Sequence, residues 1–190
     1  MFAGLHWTLL TFLLMLNAAC VTQPQRIVGA SVARDAGELQ AWTASGRIGV
    51  SGVEQSGSGS FTWNQQADIS DVQVRGPVGI GSLLIRMQGQ GVTVQASNGA
   101  QYDADAAMSE LALRLGAPVP VAQLRYWVRG LAAPGAHQWS EPGTALEQQG
   151  WQIRYSDWSQ RDALRLPGRV VLNREQVRIV IVVQEWRLTA

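Results

Sequence analysis

The feature that most limits the fold of this sequence is a repeated alternation of apolar and polar residues with a period of two. Because successive side chains of a β-strand point to opposite faces of a sheet, this alternation indicates strands that are apolar on one face only. Strands of this kind are typical of antiparallel sheets. The apolar members of the pattern are Ile48, Val50, Phe61, Trp63, Val72, Val74, Leu83, Ile85, Met87, Val92, Val94, Trp151, Ile153, Tyr155, Val170, Leu172, Val177, Ile179, Ile181 and Val183.

Two helices are predicted between the two groups of strands. Apolar residues recur at helical spacing from Met108 to Leu115, after an aspartate cap at Asp103 or Asp105. Pro120 is suited to the first position of a second helix, because a helix leaves that amide without a partner. A shorter helix is also predicted over residues 35–44.

The order of these elements predicts a mainly β fold with helices, in the α+β class. A single antiparallel sheet of this length can curl, and the two helices can cover its concave face. A curled sheet with an apolar inner face either fills with its own side chains or encloses a ligand cavity. The residue pattern leaves both alternatives open.

Composition and residue types argue against catalysis and nucleic-acid binding. The formal net charge is +1, with fifteen arginines and no lysine, so the chain lacks the broad basic field of nucleic-acid binders. Beyond the N-terminal segment the single histidine is His137, with no acid or cysteine placed to form a triad or a metal site. We therefore predict a protein that is not an enzyme and has no metal and no cofactor.

The N-terminus predicts export and lipidation. An apolar run from Leu9 to Ala19 has the length of a signal-peptide hydrophobic region and is followed by Cys20, the only cysteine. This arrangement resembles the lipobox of bacterial lipoproteins, with Asn17 where leucine is usual. We predict a signal peptide over 1–19, a lipidated tether over 20–34 and one domain over 35–190. The alternative is an ordinary signal peptide with a chance cysteine.

One predicted turn between strands carries apolar residues where turns are normally polar. The segment Pro77-Val78-Gly79-Ile80 lies between two glycines, Gly76 and Gly81, which permit tight backbone turns. A small apolar tip on such a turn is either buried under the rest of the fold or offered to an apolar partner outside.

Several segments, taken in order along the chain, resemble the LolB family of outer-membrane lipoprotein receptors. Each segment is weak alone, and the ordered set covers nearly the whole chain after Cys20. The segments are Trp42 with Ser45-Gly46-Arg47-Ile48, Gly59-Ser60-Phe61-Thr62-Trp63, Gly76-Pro77-Val78-Gly79, Pro118-Val119-Pro120 through Leu124, Trp127 and Gly130, Gly150-Trp151-Gln152-Ile153-Arg154-Tyr155, Leu166-Pro167 and Trp186.

The resemblance implies a half-open antiparallel β-barrel of about eleven strands, covered by short helices, with an apolar cavity. It implies that Val78, with Pro77, Gly79 and Ile80, forms a membrane-insertion loop, whose apolar residue is commonly leucine in the family. We expect acyl chains to contact the residues Trp63, Leu83, Ile85, Met108, Leu111, Trp127, Ile179 and Ile181.

The function implied by the resemblance is reception of triacylated lipoproteins. The expected partners are a LolA-type periplasmic carrier, the lipoprotein cargo and the inner leaflet of the outer membrane, and the chain is expected to be a monomer anchored there through Cys20. The alternative is a structural or interaction lipoprotein of the cell envelope with a filled core.

Overall fold

The computed structural model describes residues 36–53, 56–76, 81–89, 91–96, 98–115, 118–161 and 164–189. These residues form thirteen strands and two helices. The strands are β1 (Ala41–Ser51), β2 (Ser56–Gln66), β3 (Ile69–Arg75), β4 (Ser82–Gln88), β5 (Gly91–Ala96), β6 (Gln101–Tyr102), β7 (Gln138–Glu141), β8 (Ala145–Gln148), β9 (Trp151–Ser156), β10 (Ser159–Arg161), β11 (Leu164–Leu166), β12 (Arg169–Arg174) and β13 (Val177–Thr189), and the helices are α1 (Ala104–Leu115) and α2 (Val121–Trp127).

Eleven of the strands form one sheet in the order β6-β5-β4-β3-β2-β1-β13-β12-β9-β8-β7. Every pair of neighbours in it is antiparallel, and β10 and β11 form a separate hairpin. The first and last long strands, β1 and β13, pair at the centre of the sheet. The prediction of a mainly β, antiparallel fold with two central helices is therefore confirmed.

The helix predicted over residues 35–44 is wrong in its second half. Within the described part of this segment, residues 36–44, only Ala36 and Gly37 are helical, and β1 begins at Ala41. Trp42 pairs with β13 on one side and β2 on the other, and it is fully buried. Pairing along both edges of the strand overrides the weak helical spacing of this short segment.

The two central helices are confirmed, with their predicted start signals. Asp103 caps α1, because its Oδ1 accepts a hydrogen bond from the Ala106 amide at 2.8 Å. Pro120 occupies the position immediately before α2. Gly130 follows α2 with φ of +81°, and a Cβ there would lie 2.6 Å from the Trp158 ring, so glycine is required both for backbone conformation and for space.

The sheet has an apolar face and a polar face. The apolar face, here called the pocket face, buries a cluster in which the Trp42 ring lies 5.3 Å from both the Trp63 and Trp186 rings. The opposite face, here called the outer face, carries serine, arginine and glutamine side chains that alternate with the buried ones.

Strand direction gives the sheet two distinct ends. The β1–β2, β3–β4, β5–β6 and β12–β13 connections all lie at one end, here called the loop end, because the strands are consecutive and antiparallel. The described chain begins at the other end, where the Ala67 amide donates to the Gln40 carbonyl at 2.8 Å. The segment from 77 to 80 belongs to the β3–β4 connection, so its flanks are fixed at the loop end.

Candidate ligand pocket

An apolar pocket lies between the pocket face of the sheet and the two helices. Its volume is about 310 Å³. Nearly all of its lining side chains are aliphatic, aromatic or thioether groups, with Ser56 as the polar exception. The lining residues are Ile48, Val50, Ser56, Gly57, Phe61, Trp63, Val72, Val74, Ile85, Met87, Met108, Val119, Val121, Leu124, Ile179 and Ile181.

Five neighbouring strands build the wall of this pocket, and their register brings the apolar side chains together. Ile48 of β1 pairs with Ile181 of β13, and Trp63 of β2 pairs with Val72 of β3. Paired residues of antiparallel strands project from the same face, so one apolar residue in every two contributes to a continuous wall. The alternation in the sequence therefore corresponds directly to the pocket wall.

The helices supply the other side of the pocket. Met108 comes from α1, Val121 and Leu124 come from α2, and Val119 comes from the connection between them. These side chains are only half buried, because the pocket beside them is open space. The helices are therefore held against an apolar surface that they do not fill.

Five of the eight predicted cavity residues line this pocket, namely Trp63, Ile85, Met108, Ile179 and Ile181. Leu83 projects from the same face, since it pairs with the lining residue Val74, but it lies closer to the loop end and its side chain is 42% exposed. It is therefore beside the pocket and not within the lining. The side chain of Leu111 lies outside the described residues.

Trp127 does not contact the pocket, and the reason is its polar nitrogen. The residue is fully buried in the core, where its ring lies 6.5 Å from that of Trp151. Its Nε1 donates to Gln148 Oε1 at 2.8 Å, and the same side chain bonds the Ala133 amide and carbonyl. A buried indole N–H needs an acceptor, and Gln148 provides one away from the pocket.

Sequence reasoning named five of the sixteen lining residues. Val50, Phe61, Val72 and Val74 belong to the same alternating pattern as the named residues, and the register that joins them, with Val72 paired to both Trp63 and Ile85 and Phe61 paired to Val74, was the missing information. Val121 and Leu124 are three residues apart on α2, and this spacing was the signal for a shared helix face.

Two of the predicted functional sites lie outside the described residues, namely Cys20 and the loop segment Pro77-Val78-Gly79-Ile80. The described flanks of the loop are joined, since the Gly76 amide donates to the Gly81 carbonyl at 3.4 Å. An apolar side chain of the described residues is exposed at the same end, where Val53 in the β1–β2 connection is 59% exposed.

None of the described residues that line the pocket is charged. At the end opposite the loops, burial lowers the pKa of the Arg129 guanidinium to about 10. That group donates to the Ala36 carbonyl at 2.8 Å and the Leu39 carbonyl at 3.1 Å, which holds the start of the described chain against the end of α2. On the outer face, hydrogen bonding from Arg86 lowers the pKa of the Asp71 carboxyl.

The pocket has the chemistry of a binding site for apolar chains. Within the described chain there is no cluster of three or more histidine, cysteine or acidic residues that could hold a metal ion. His137 lies in an exposed loop, with Nδ1 3.0 Å from the Gly135 carbonyl. Burial raises the pKa of the Tyr155 hydroxyl, which keeps that group neutral in the core. No helix in the described ranges is long and apolar enough to span a membrane.

Comparison with known families identifies the class of protein that carries this pocket. The sequence matches the family model of the outer membrane lipoprotein LolB over residues 40–186. The chain belongs to the LolB family. Membership of this family confirms the resemblance found in the sequence and the predicted outer-membrane location. It also agrees with the prediction that the chain is not an enzyme.

Curated relatives carry the same family name. The outer-membrane lipoprotein LolB of Pseudomonas fluorescens is 33% identical over 153 residues, which is 78% of this chain and 75% of the relative. The corresponding protein of Stutzerimonas stutzeri is 32% identical over 154 residues, with the same coverage of both chains.

A solved structure shares the fold of this LolB-family chain. The crystal structure of a LolA superfamily protein from Nitrosomonas europaea superposes with a TM-score of 0.50 at 10% identity, over 85% of this chain and 94% of that protein. The chain therefore has a LolA-like fold.

Proposed function

We propose that this chain accepts acylated lipoproteins from a LolA-type periplasmic carrier and inserts them into the outer membrane. The observation that carries the proposal is the apolar pocket of about 310 Å³ between five strands and two helices, in a chain of the LolB family. We infer that the eleven-stranded sheet curls into a half-open barrel around this pocket. An acyl chain would then contact the β13, β1, β2, β3 and β4 side chains on one side and the helices on the other.

The energetics of acyl chains explain why such a pocket is needed. Exposing an acyl chain to water costs about 0.8 kcal/mol per methylene, so a lipoprotein cannot leave its carrier unshielded. A ligand moves from one protein to another only if the second binds it more tightly. The almost wholly apolar lining offers an acyl chain the environment that this transfer requires.

We infer from the pocket volume that the helices move when cargo binds. Its 310 Å³ accommodates about ten groups of the size of a water molecule. A palmitoyl chain is larger than that, and a triacylated lipoprotein carries three such chains. We expect α1 and α2 to move away from the sheet, because their half-buried side chains face the open space and bury less than a core helix would.

Two further features complete the proposal. Cys20 would carry the lipid anchor, with residues 1–19 removed as a leader and 20–34 serving as a tether. Pro77, Val78, Gly79 and Ile80 would contact the bilayer during delivery. Their flanks lie at the loop end, where Val53 is also exposed, so this end presents apolar groups to its surroundings.

The proposal is tested by acyl-dependent transfer in two stages. The purified chain is mixed first with carrier loaded with triacylated or non-acylated lipoprotein, and then with liposomes. We expect acceptance only of acylated cargo. We expect Val78→Glu to accept cargo and fail to deliver it, because a carboxylate at the tip opposes entry into hydrocarbon.

Val53→Glu is the matched control, since it places the same charge on an exposed valine of the β1–β2 connection at the same end. It should deliver cargo normally. Equal loss in both variants would mean that any negative charge at the loop end is harmful and that the loop has no special role. Transfer of non-acylated cargo would refute the proposed function itself and favour a protein-docking role.

A further inference from the structure

Four arginines on neighbouring strands of the outer face have no acidic partners. They are Arg47 on β1, Arg178 on β13, Arg169 on β12 and Arg154 on β9, and together they are called the arginine patch here. Among the described residues no carboxylate lies within 4 Å of any of them, and three of the four are exposed. The patch is therefore a local concentration of positive charge.

The register places these arginines close together. Arg47 and Arg169 both pair with Val182, on its two sides, so their Cα atoms are about 10 Å apart. Arg154 pairs with Val171, which is two residues from Arg169 on the same strand. Arg178 lies four residues before Val182, about 13 Å toward the loop end.

Two other arginines of the outer face are neutralised, whereas Arg75 on β3 donates to Gln73 Oε1 at 2.7 Å and has no acidic partner among the described residues. Arg86 forms an ion pair with Asp71 at 2.6 Å, and Arg187 forms one with Glu185 at 2.8 Å. Glu185 is the single acid on β1, β13, β12 and β9, and it is already occupied by Arg187. The chain as a whole has a net charge of +1, whereas β1, β13, β12 and β9 concentrate four arginines without an acidic partner on this face.

The surroundings of the patch suit a membrane surface with many lipid headgroups better than a protein partner that binds through a few dominant side chains. Half-buried valines at 171, 180 and 182 form its floor, and Ser60 of β2 pairs with Arg47 at its margin. There is no aromatic side chain in the patch of the kind that dominates protein–protein hot spots. Guanidinium groups bind phosphate oxygens in a bidentate manner, and serine hydroxyls can add hydrogen bonds.

We infer that the arginine patch binds the phosphate groups of anionic phospholipids and lays this face of the sheet against the bilayer. The inference extends the proposed membrane role of the chain by naming a second contact, separate from the apolar loop, and the lipid class that it recognises. Arg178 lies at the loop end of β13, so patch and loop can contact the same membrane when the domain is tilted.

The test is co-sedimentation of residues 21–190 with vesicles, without carrier or cargo. Every buried residue of the described core lies between Ala36 and Trp186, so this chain retains the whole core. Vesicles of phosphatidylcholine alone are compared with an equal mixture of phosphatidylcholine and phosphatidylglycerol. We expect binding to require phosphatidylglycerol and to weaken as salt is added.

The double variant Arg47→Gln with Arg169→Gln should bind the mixed vesicles about 25-fold more weakly, at about fivefold per arginine near an anionic surface. The matched control is Arg86→Gln with Arg187→Gln, which removes the same net charge from paired positions of the same face. It should bind as the unmodified chain does. Thermal unfolding of both variants verifies that these surface changes leave the fold intact.

Three results would overturn the inference. Equal weakening by the control pair would reduce the effect to net charge. Equal binding to vesicles with and without phosphatidylglycerol would show that the patch does not recognise an anionic headgroup. Binding to poly-glutamate is measured in parallel, and if the variant Arg47→Gln with Arg169→Gln loses that binding but binds mixed vesicles as the unmodified chain does, the patch would be assigned to an acidic protein. Because no cargo is present, each of these results leaves the transfer assay free to support or refute the proposed function independently.

Discussion

Gly46 offers the sharpest test of how the sheet is built, because its place cannot be taken by any residue with a Cβ. It is buried in β1 beside a register shift, where Ser45 pairs with Glu185 but Gly46 pairs with Val183. The extra residue, Gln184, forms a bulge in β13. A Cβ on Gly46 would overlap the Val182 carbonyl oxygen and lie 3.0 Å from the Gln184 amide nitrogen.

Both neighbours of that Cβ are backbone atoms of the central strand pair, so a rotamer change cannot relieve the overlap. Overpacking of this kind costs about 1–3 kcal/mol and occasionally more. We expect Gly46→Ala to lower the free energy of unfolding by about 3 kcal/mol. This is a large share of the 5–15 kcal/mol that is typical of natural domains.

Gly49→Ala is the matched control, three residues along the same strand. An added Cβ there meets nothing within 4 Å, and φ at Gly49 is not positive. Alanine at such a site stabilises by about 0.4–1 kcal/mol, because it restricts the unfolded chain. The two variants should therefore differ by more than 3 kcal/mol in the free energy of unfolding.

Urea unfolding followed by tryptophan fluorescence measures the difference. With an m-value of about 2 kcal/mol per molar urea, the midpoints of the two variants should be about 1.7–2 M apart. Midpoints that agree to within a few tenths of a molar unit, with unchanged m, would refute the reasoning. Such agreement would mean that β13 moves away from Gly46 at little cost and that the bulge is not tightly packed.

Two further predictions concern the core and the anchor. Gln148→Leu should lower the free energy of unfolding by about 3 kcal/mol or more, because three buried groups on Trp127 and Ala133 lose their partner; Gln152→Leu, an exposed change on the neighbouring strand, should be nearly neutral, and similar midpoints for the two in urea would contradict the role given to Gln148. Cys20→Ala should abolish incorporation of radiolabelled palmitate and release the protein from outer-membrane fractions, whereas label retained in this variant would exclude Cys20 as the acylated residue.

The sequence predicted the pocket wall well because period-two alternation records which face of a strand is buried. It did not predict depth along the strand, and Leu83 illustrates the difference. Leu83 and Ile85 have the same pattern and the same face, yet only Ile85 lines the pocket. The helices decide which residues of a strand line the pocket and which lie beyond its edge. The position of the helices depends on contacts between residues that are distant in sequence.

The predictions for Trp127, as a cavity residue, and for Trp42, as a helical residue, were wrong for related reasons. Helical spacing groups Trp127 with Leu124, but a hydrogen bond to Gln148, 21 residues away, draws the indole into the core. Trp42 has a helix-compatible spacing with Leu39, but it pairs with β13 on one side and with β2 on the other, so it is part of a strand. The short strands β7, β8, β10 and β11 have three or four residues each, too few for a period to be recognised.

The position of the chain's start gives the molecule a polarity that any anchored form must accommodate. Ala36 is held by Arg129 at the end opposite the loops, so an anchor at Cys20 would pull on the far end of the domain. β1 alone has 11 residues and spans about 36 Å. The sixteen residues from 20 to 35 reach at most about 55 Å when fully extended. The fully extended tether is therefore about 19 Å longer than β1. The loop end reaches the membrane that holds the anchor only when the long axis of the domain lies along the membrane or when the domain is inverted relative to it.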